Sequence, residues 1–181
     1  MSEHPPVELV GERVRLLAVS VDRLDDIAAA VSVSLPELEQ FMDWAVSHPT
    51  RAADFVGFVG ESVAGWETGK SYNYTIVDRV SDEVIGGCGL MRRRGPGAIE
   101  IGYWIRSDRA GDGLATETAR LLTAAARELD DLYAAIIVHD AANKASGRVA
   151  EKLGYIEFDR VPVELVALGD SGIDMYRRLD L

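Results

Sequence analysis

The stretch from Ile99 to Ala119, IEIGYWIRSDRAGDGLATETA, decides the fold. Its first part, to Ile105, is rich in β-branched and aromatic residues and reads as a strand. Its last part opens a helix from about Gly113 to Leu129. Leu114, Thr118, Leu121, Leu122, Ala125 and Leu129 fall on one face of that helix, with Glu117, Arg120, Arg127 and Glu128 elsewhere. Between strand and helix lies the loop Gly111-Asp112-Gly113-Leu114-Ala115. At a helix N-terminus the first backbone N–H groups have no helical partner and sit at the positive end of the helix dipole. Glycines let an anion approach that backbone closely. The combination suits a phosphate or pyrophosphate, and a plain loop using glycine for turn geometry fits the same residues equally well.

Two specific phosphate motifs do not fit. A P-loop needs GxxxxGK[ST], and no Lys follows these glycines. A dinucleotide fingerprint GxGxxG would place Thr116 where Gly or Ala belongs, and several residues separate the strand from Gly111. The upstream pattern is also a β-meander rather than a βαβ unit. It comprises Asn73 to Val77, Glu83 to Met91 and Ala98 to Ile105, joined by turns at Asp78 to Asp82 and Arg92 to Gly97.

Further toward the N-terminus, Glu12 to Val19 reads as a first strand. Ser20 and Asp22 can cap a helix through Leu24, Ile27, Ala28 and Val31. Two more helical stretches run from about Leu35 to Val46 and from Arg51 to Glu61. Toward the C-terminus, Tyr133 to Val138 is a fully apolar strand suited to a sheet centre. A helix follows over Lys144 to Leu153, stopped by Gly154, and a hairpin of Tyr155 to Val166 and Ile173 to Leu179 closes the chain. The total predicts a single α+β domain spanning 1–181, with a mixed sheet of about seven strands flanked by helices.

Composition narrows the function. Cys88 is the only cysteine, so neither an intrachain disulfide nor a cysteine-based zinc site can form. The three histidines, His4, His48 and His139, are too scattered for a metal-ligand spacing, and no metal is expected. A formal charge of −11 argues against nucleic acid as a ligand. It suits a cationic substrate, and equally it suits mere solubility. No apolar run approaches the roughly 20 residues of a membrane helix. The first residues carry neither a basic region nor an apolar run, so the expected compartment is the cytoplasm.

The run EIGYWIRSDRAGDGLATETARLL from Glu100, followed by NKASGRVAEKLGY from Asn143 to Tyr155, resembles the GNAT superfamily of N-acetyltransferases. More narrowly it is similar to the RimJ/RimL-like branch, which includes ribosomal-protein N-terminal acetyltransferases. The resemblance extends to the opening strand, the SLPELEQFMDWA segment and the closing hairpin. It implies transfer of an acetyl group from acetyl-CoA to a primary amine, either a protein N-terminus or a small molecule, in a ternary complex. It further implies that the amides of Gly111, Asp112, Gly113, Leu114, Ala115 and Thr116 hold the CoA pyrophosphate. The strand end Trp104-Ile105-Arg106 would bind the pantetheine arm as an added strand, with Asn143 hydrogen-bonding it. The family's usual Gln or Arg before the first loop glycine is replaced by Ala110, with Arg109 one residue early. A homodimer is compatible with the resemblance. A CoA-binding module without turnover, or a transferase using another donor such as succinyl-CoA, are the alternatives.

An amine arrives as an ammonium, with a pKa near 8 for an α-amino group and above 10 for Lys, and must lose a proton before it attacks. The resemblance puts Glu100 in the place of a general base; a surface strand residue is the competing reading. The departing thiolate needs a proton. The Tyr that many relatives carry in the last helix corresponds to Ala150, and Ser146 is the expected substitute, against a reading as a helix-capping serine. Cys88 reads as a buried small residue rather than a nucleophile. His139 reads as structural or solvent-facing rather than catalytic. Arg92-Arg93-Arg94 reads as a solvated turn, with the CoA 3′-phosphate or an acidic partner as other uses. Asp43, Trp44 and Trp66 lie where the family forms its acceptor pocket.

Overall fold

The computed structural model describes residues 4–181. Its strands are β1 (Glu8–Val10), β2 (Val14–Ala18), β3 (Ser71–Asp78), β4 (Val84–Met91), β5 (Ala98–Ile105), β6 (Ala134–Asp140), β7 (Ile156–Pro162) and β8 (Ile173–Asp180). Its α-helices are α1 (Leu24–Leu38), α2 (Val56–Thr68), α3 (Leu114–Arg127) and α4 (Lys144–Lys152). The strands form one mixed sheet in the order β1-β2-β3-β4-β5-β6-β8-β7. Eight strands replace the expected seven because Glu8–Val10 pairs antiparallel with β2. Three residues with two side chains exposed carry too little alternation to be read as a strand.

The N-terminal helices also differ from expectation. No separate helix begins at Leu35; α1 runs on through Pro36 to Leu38. Proline there removes one donor close to the helix end, and the Glu39 N–H still reaches the Leu35 carbonyl at 3.0 Å. One buried face, Ile27, Ala28, Val31, Ser34 and Leu38, holds the helix continuous. The segment expected to continue it is a 3-10 turn at Asp43–Ser47, and α2 begins later and ends later than Arg51 to Glu61.

Helices α3 and α4 cover one face of the sheet. Leu16, Tyr74, Ile76, Leu90, Ile99, Ile101, Leu122, Leu129 and Ile137 form the core there, nearly all inaccessible to solvent. Burying each such side chain contributes about 1.5–3 kcal/mol against chain entropy. Helix α1 covers the other face through Ile27, Val31, Leu38, Phe55, Val77 and Val84. The glycines of β4 follow from close packing: a Cβ on Gly87 would come within 2.7 Å of the Trp104 indole nitrogen.

One pairing positions the site. Among the described residues β5 and β6 are the only parallel neighbours, joined by the crossover through α3. They pair over just Ala98–Ala134, Ile99–Ala135 and Glu100–Ile136. Beyond these, β5 stays on β4 as far as Ile105, while β6 stays on β8 as far as Asp140. The sheet therefore opens into a wedge between the C-terminal halves of two central strands.

Candidate active site

The wedge is lined by strand edge. The Arg106 N–H donates to the Ile85 carbonyl at 2.8 Å, so Arg106 faces β4. Peptide groups alternate in direction along a strand, so Tyr103 and Ile105 turn theirs toward the wedge. Of the expected trio Trp104, Ile105 and Arg106, it is Ile105 that presents backbone there. The Trp104 ring lies over Gly87 and 6.1 Å from the Trp44 ring. The Arg106 guanidinium bonds Asp108 and Glu83, each at 2.6 Å.

The loop leaving β5 is pinned before it reaches the glycines. Arg109 bonds Asp78 on β3 at 2.6 Å. That guanidinium, with the Ser81 and Val80 amides, holds the Asp78 carboxyl well below the usual range. Gly111 and Gly113 then adopt φ of 95° and 79°, the left-handed region open to glycine. Gly113 is the N-cap of α3 and has no side chain to satisfy the first turn. The first helical bond comes from Glu117 N–H to the Gly113 carbonyl, 3.1 Å. The N–H groups of Leu114, Ala115 and Thr116 thus point out of the helix without helical partners. Asp112 contributes its carbonyl, which accepts from Arg13 Nη1 at 2.6 Å.

Arg13 was not legible as a site residue. It lies 99 positions from Asp112 in sequence, and only the folding of β2 beside α3 brings it there. Its backbone and Nε also bond the Glu117 carboxylate at 2.9 and 3.1 Å. Burial pulls the Glu117 pKa upward, but the Arg13 bonds outweigh it and hold the carboxyl below its ordinary value.

On the opposite wall, Asn143 is the N-cap of α4, its Oδ1 accepting from the Ser146 N–H at 3.1 Å. This leaves Nδ2 as the donor with which Asn143 can meet a ligand. It also corrects the reading of Ser146 as the cap. The Ser146 hydroxyl instead lies 3.1 Å from the Tyr103 hydroxyl, which reaches across from β5. Burial pushes the Tyr103 phenol up to about 12, partly offset by that hydrogen bond. Ala150, in the place of the usual tyrosine, is fully buried.

Glu100 is not a surface residue: it is 5% exposed. Arg93 bonds both of its carboxylate oxygens, and Arg94 bonds Oε2 as well. Arg92 pairs with Asp131 at 2.6 Å. The three arginines of the run are therefore all paired, while Arg93 and the turn beyond it remain exposed to solvent. Glu100 and Tyr103 are three residues apart on one strand, so their side chains leave opposite faces of the sheet. The wedge joins the two faces.

Four other expectations resolve here. Cys88 is buried, and desolvation raises its thiol well above the ordinary value. His139 is buried between the Asp140 carbonyl, 2.8 Å from Nδ1, and Arg177 Nε, 3.1 Å from Nε2. Trp66 packs on Tyr72 and Tyr74 and donates to the Asn73 carbonyl, so it belongs to the core edge. Asp43 and Trp44 are exposed on the α1 side, beside Trp104. Among the described residues, no three His, Cys, Asp or Glu side chains gather as a metal-ligand group, and no helix is long and apolar enough to cross a membrane.

Comparison with known proteins agrees with this fold. A family model described as an acetyltransferase (GNAT) domain matches residues 13–156. No curated protein matches the chain by sequence. Among solved structures, the Mycobacterium smegmatis RimJ in complex with CoA-disulfide superposes with a TM-score of 0.84 at 19% identity, covering 98% of this chain and 90% of that one. The microcin C7 self-immunity acetyltransferase MccE, in complex with acetyl-CoA and AMP, gives 0.85 at 16% identity over 94% of each chain. A Salmonella typhimurium acetyl transferase that modifies the N-terminal serine of ribosomal protein L7/L12 gives 0.81 at 18%, covering 97% of this chain and 98% of that one.

Proposed function

The chain belongs to the GNAT acetyltransferase family, and from that premise we propose that it transfers the acetyl group of acetyl-CoA directly to a primary amine, a protein N-terminus or a small molecule. The observation that carries this reading is the wedge between β5 and β6, opening beside a side-chain-free helix N-terminus. An extended arm adds to the edge at Ile105 as a further strand, with Asn143 Nδ2 across from it. The amides of the Gly111 to Thr116 segment, with the dipole of α3, suit the pyrophosphate. The arginines in and around the loop are tied to Asp78, Asp108 and Glu117, so they hold the loop in shape, and the amides supply the binding. Acetyl-CoA supplies an activated thioester.

The residues divide the proton work between the two faces. On the α1 face Glu100 is the proposed base for the incoming ammonium. Because its oxygens already accept from Arg93 and Arg94, one contact opens or a water intervenes as it takes the proton. On the α4 face Ser146 is the proposed donor to the departing sulfur. Such general catalysis is worth ~10²- to 10⁴-fold each. The similarity to the enzyme that modifies the N-terminal serine of L7/L12 favours an α-amino group as the acceptor.

Release of free CoA thiol, followed with acetyl-CoA and with succinyl-CoA against a panel of amines, tests the reading. The panel should include peptides with N-terminal Ser and Ala, a polyamine and an aminoglycoside. Amine-dependent release with acetyl-CoA is expected. Tight CoA binding with no amine-dependent release would replace the transferase by a binding module, and preference for succinyl-CoA would replace the donor.

A further inference from the structure

We propose that Tyr103 is a positioning and proton-relay residue: its hydroxyl, arriving from β5, works through Ser146 to donate toward the sulfur of bound CoA. The inference rests on the acetyl-CoA reading above and deepens it.

Three observations carry it. Tyr103 Oη lies 3.1 Å from Ser146 Oγ and 3.4 Å from the Ser146 carbonyl, and either hydroxyl of the pair can donate. The two hydroxyls can therefore exchange donor and acceptor roles without moving. The pair sits at the first turn of α4, whose cap is already provided by Asn143, so neither hydroxyl is needed to start the helix. The α4 position that would otherwise present a phenol is Ala150, fully buried and without a polar atom. A phenol is thus returned to the α4 wall, but from a strand.

The chemistry explains why two hydroxyls suit the task better than one. An aliphatic hydroxyl is a far weaker acid than a thiol, so serine alone makes an uphill donor to a thiolate. The Tyr103 phenol, although burial weakens it as an acid to about 12, is still closer to the thiol than an alkanol is. As Ser146 gives its proton to the sulfur, an S–H bond forms and the serine O–H bond breaks. Tyr103 passes its own proton to the serine oxygen, and solvent water at the half-buried ring restores the phenol. The titratable group beside Tyr103 is Tyr155, whose hydroxyl is engaged by Thr123 at 2.7 Å.

The test reads the ionisation of bound CoA thiol by its near-ultraviolet thiolate absorbance across pH. Wild type, Tyr103→Phe, Ser146→Ala and the double variant are compared, with CoA affinity and melting temperature measured alongside. Donors aimed at the sulfur favour its charged form. Bound thiol should therefore ionise at lower pH in wild type than in free CoA. Each single variant should raise the ionisation by about one pH unit, a tenfold loss of thiolate, and the double variant should add little more. A merely structural Tyr103 would lower melting temperature or CoA affinity and leave thiol ionisation where it was; that result overturns the inference. Failure of wild-type protein to bind CoA overturns the donor reading itself, and this inference with it.

Discussion

Glu100 and His139 show how far single residues can be read. Glu100 was legible as an acidic residue on the strand before the loop, but its double arginine clamp was not, because a turn between strands folds Arg93 and Arg94 back over it. Glu100→Gln separates its two jobs. If it is the base, turnover falls ~10²- to 10⁴-fold while acetyl-CoA affinity holds. Loss of the charged bonds to Arg93 and Arg94 also costs about 1.5–3 kcal/mol in urea unfolding. A stability loss with unchanged turnover would leave Glu100 a purely structural carboxylate. His139 ends an apolar strand, and its sequence context does not say which groups its ring nitrogens meet. Burial is the largest influence on it and lowers its pKa below the ordinary 6.5, with the Arg177 charge adding to that and the Asp140 carbonyl opposing. The unfolded chain therefore binds this proton more readily than the folded one. The contribution of His139 is complete above about pH 6.5 and is lost as pH falls through the lower folded value. Wild type should lose stability relative to His139→Gln between about pH 7 and pH 5 in urea midpoints. Parallel pH profiles would show that His139 titrates equally in both states.

At the scale of elements, the strong periodic segments were legible: β5 over Ala98–Ile105, the body of α3, and α4 up to Gly154. Local rules sufficed there, because an amphipathic stripe, a cap and a stop glycine all point the same way. The N-terminal third was less legible. Pro36 looks like a helix start, and only the buried face shared by Ile27 and Leu38 shows that the helix runs through it. β1 is held by pairing with β2 rather than by its own pattern. The turns of the loop before α3, the proposed anion cradle, were legible because glycine marks both left-handed positions. Gly113→Ala tests that link between element and function. A Cβ at φ 79° costs about 1–2 kcal/mol, while the nearest atom it would meet, Arg13 Nη2, is 3.5 Å away, so crowding adds little. The cost should therefore fall on the turn. Calorimetry should show weaker CoA binding beyond the loss of global stability, and affinity equal to wild type would mean that this turn does not shape the CoA site.

For the whole molecule, the order of motifs announced the fold, but the opening in the sheet was not in the pattern. β5 and β6 each read as good strands to their ends; that they part after Glu100 and Ile136 depends on their loyalty to β4 and β8, a balance no local window contains. Charge is the other global property, and here the structure adds something to the sequence. The net charge is −11, and the arginines around the wedge are already committed: Arg13 to Glu117, Arg93 and Arg94 to Glu100, Arg106 to Asp108 and Arg109 to Asp78. Those five arginines meet four carboxylates and leave little net charge there, so the long-range field belongs to the excess carboxylates elsewhere on the surface. Such a field draws in cations and slows anions, and it acts through solvent, where salt screens it. Raising salt from about 0.1 M to about 1 M shortens the screening length from ~10 Å to ~3 Å. Two peptides sharing an N-terminal Ser, one continuing with lysines and one with aspartates, isolate the effect from the chemistry at the amine. KM for the lysine peptide should rise about tenfold with salt and KM for the aspartate peptide should fall, with kcat nearly constant for both. An equal response from both peptides would assign the acceptor preference to contacts beside Asp43, Trp44 and Trp104 and remove the global field from it.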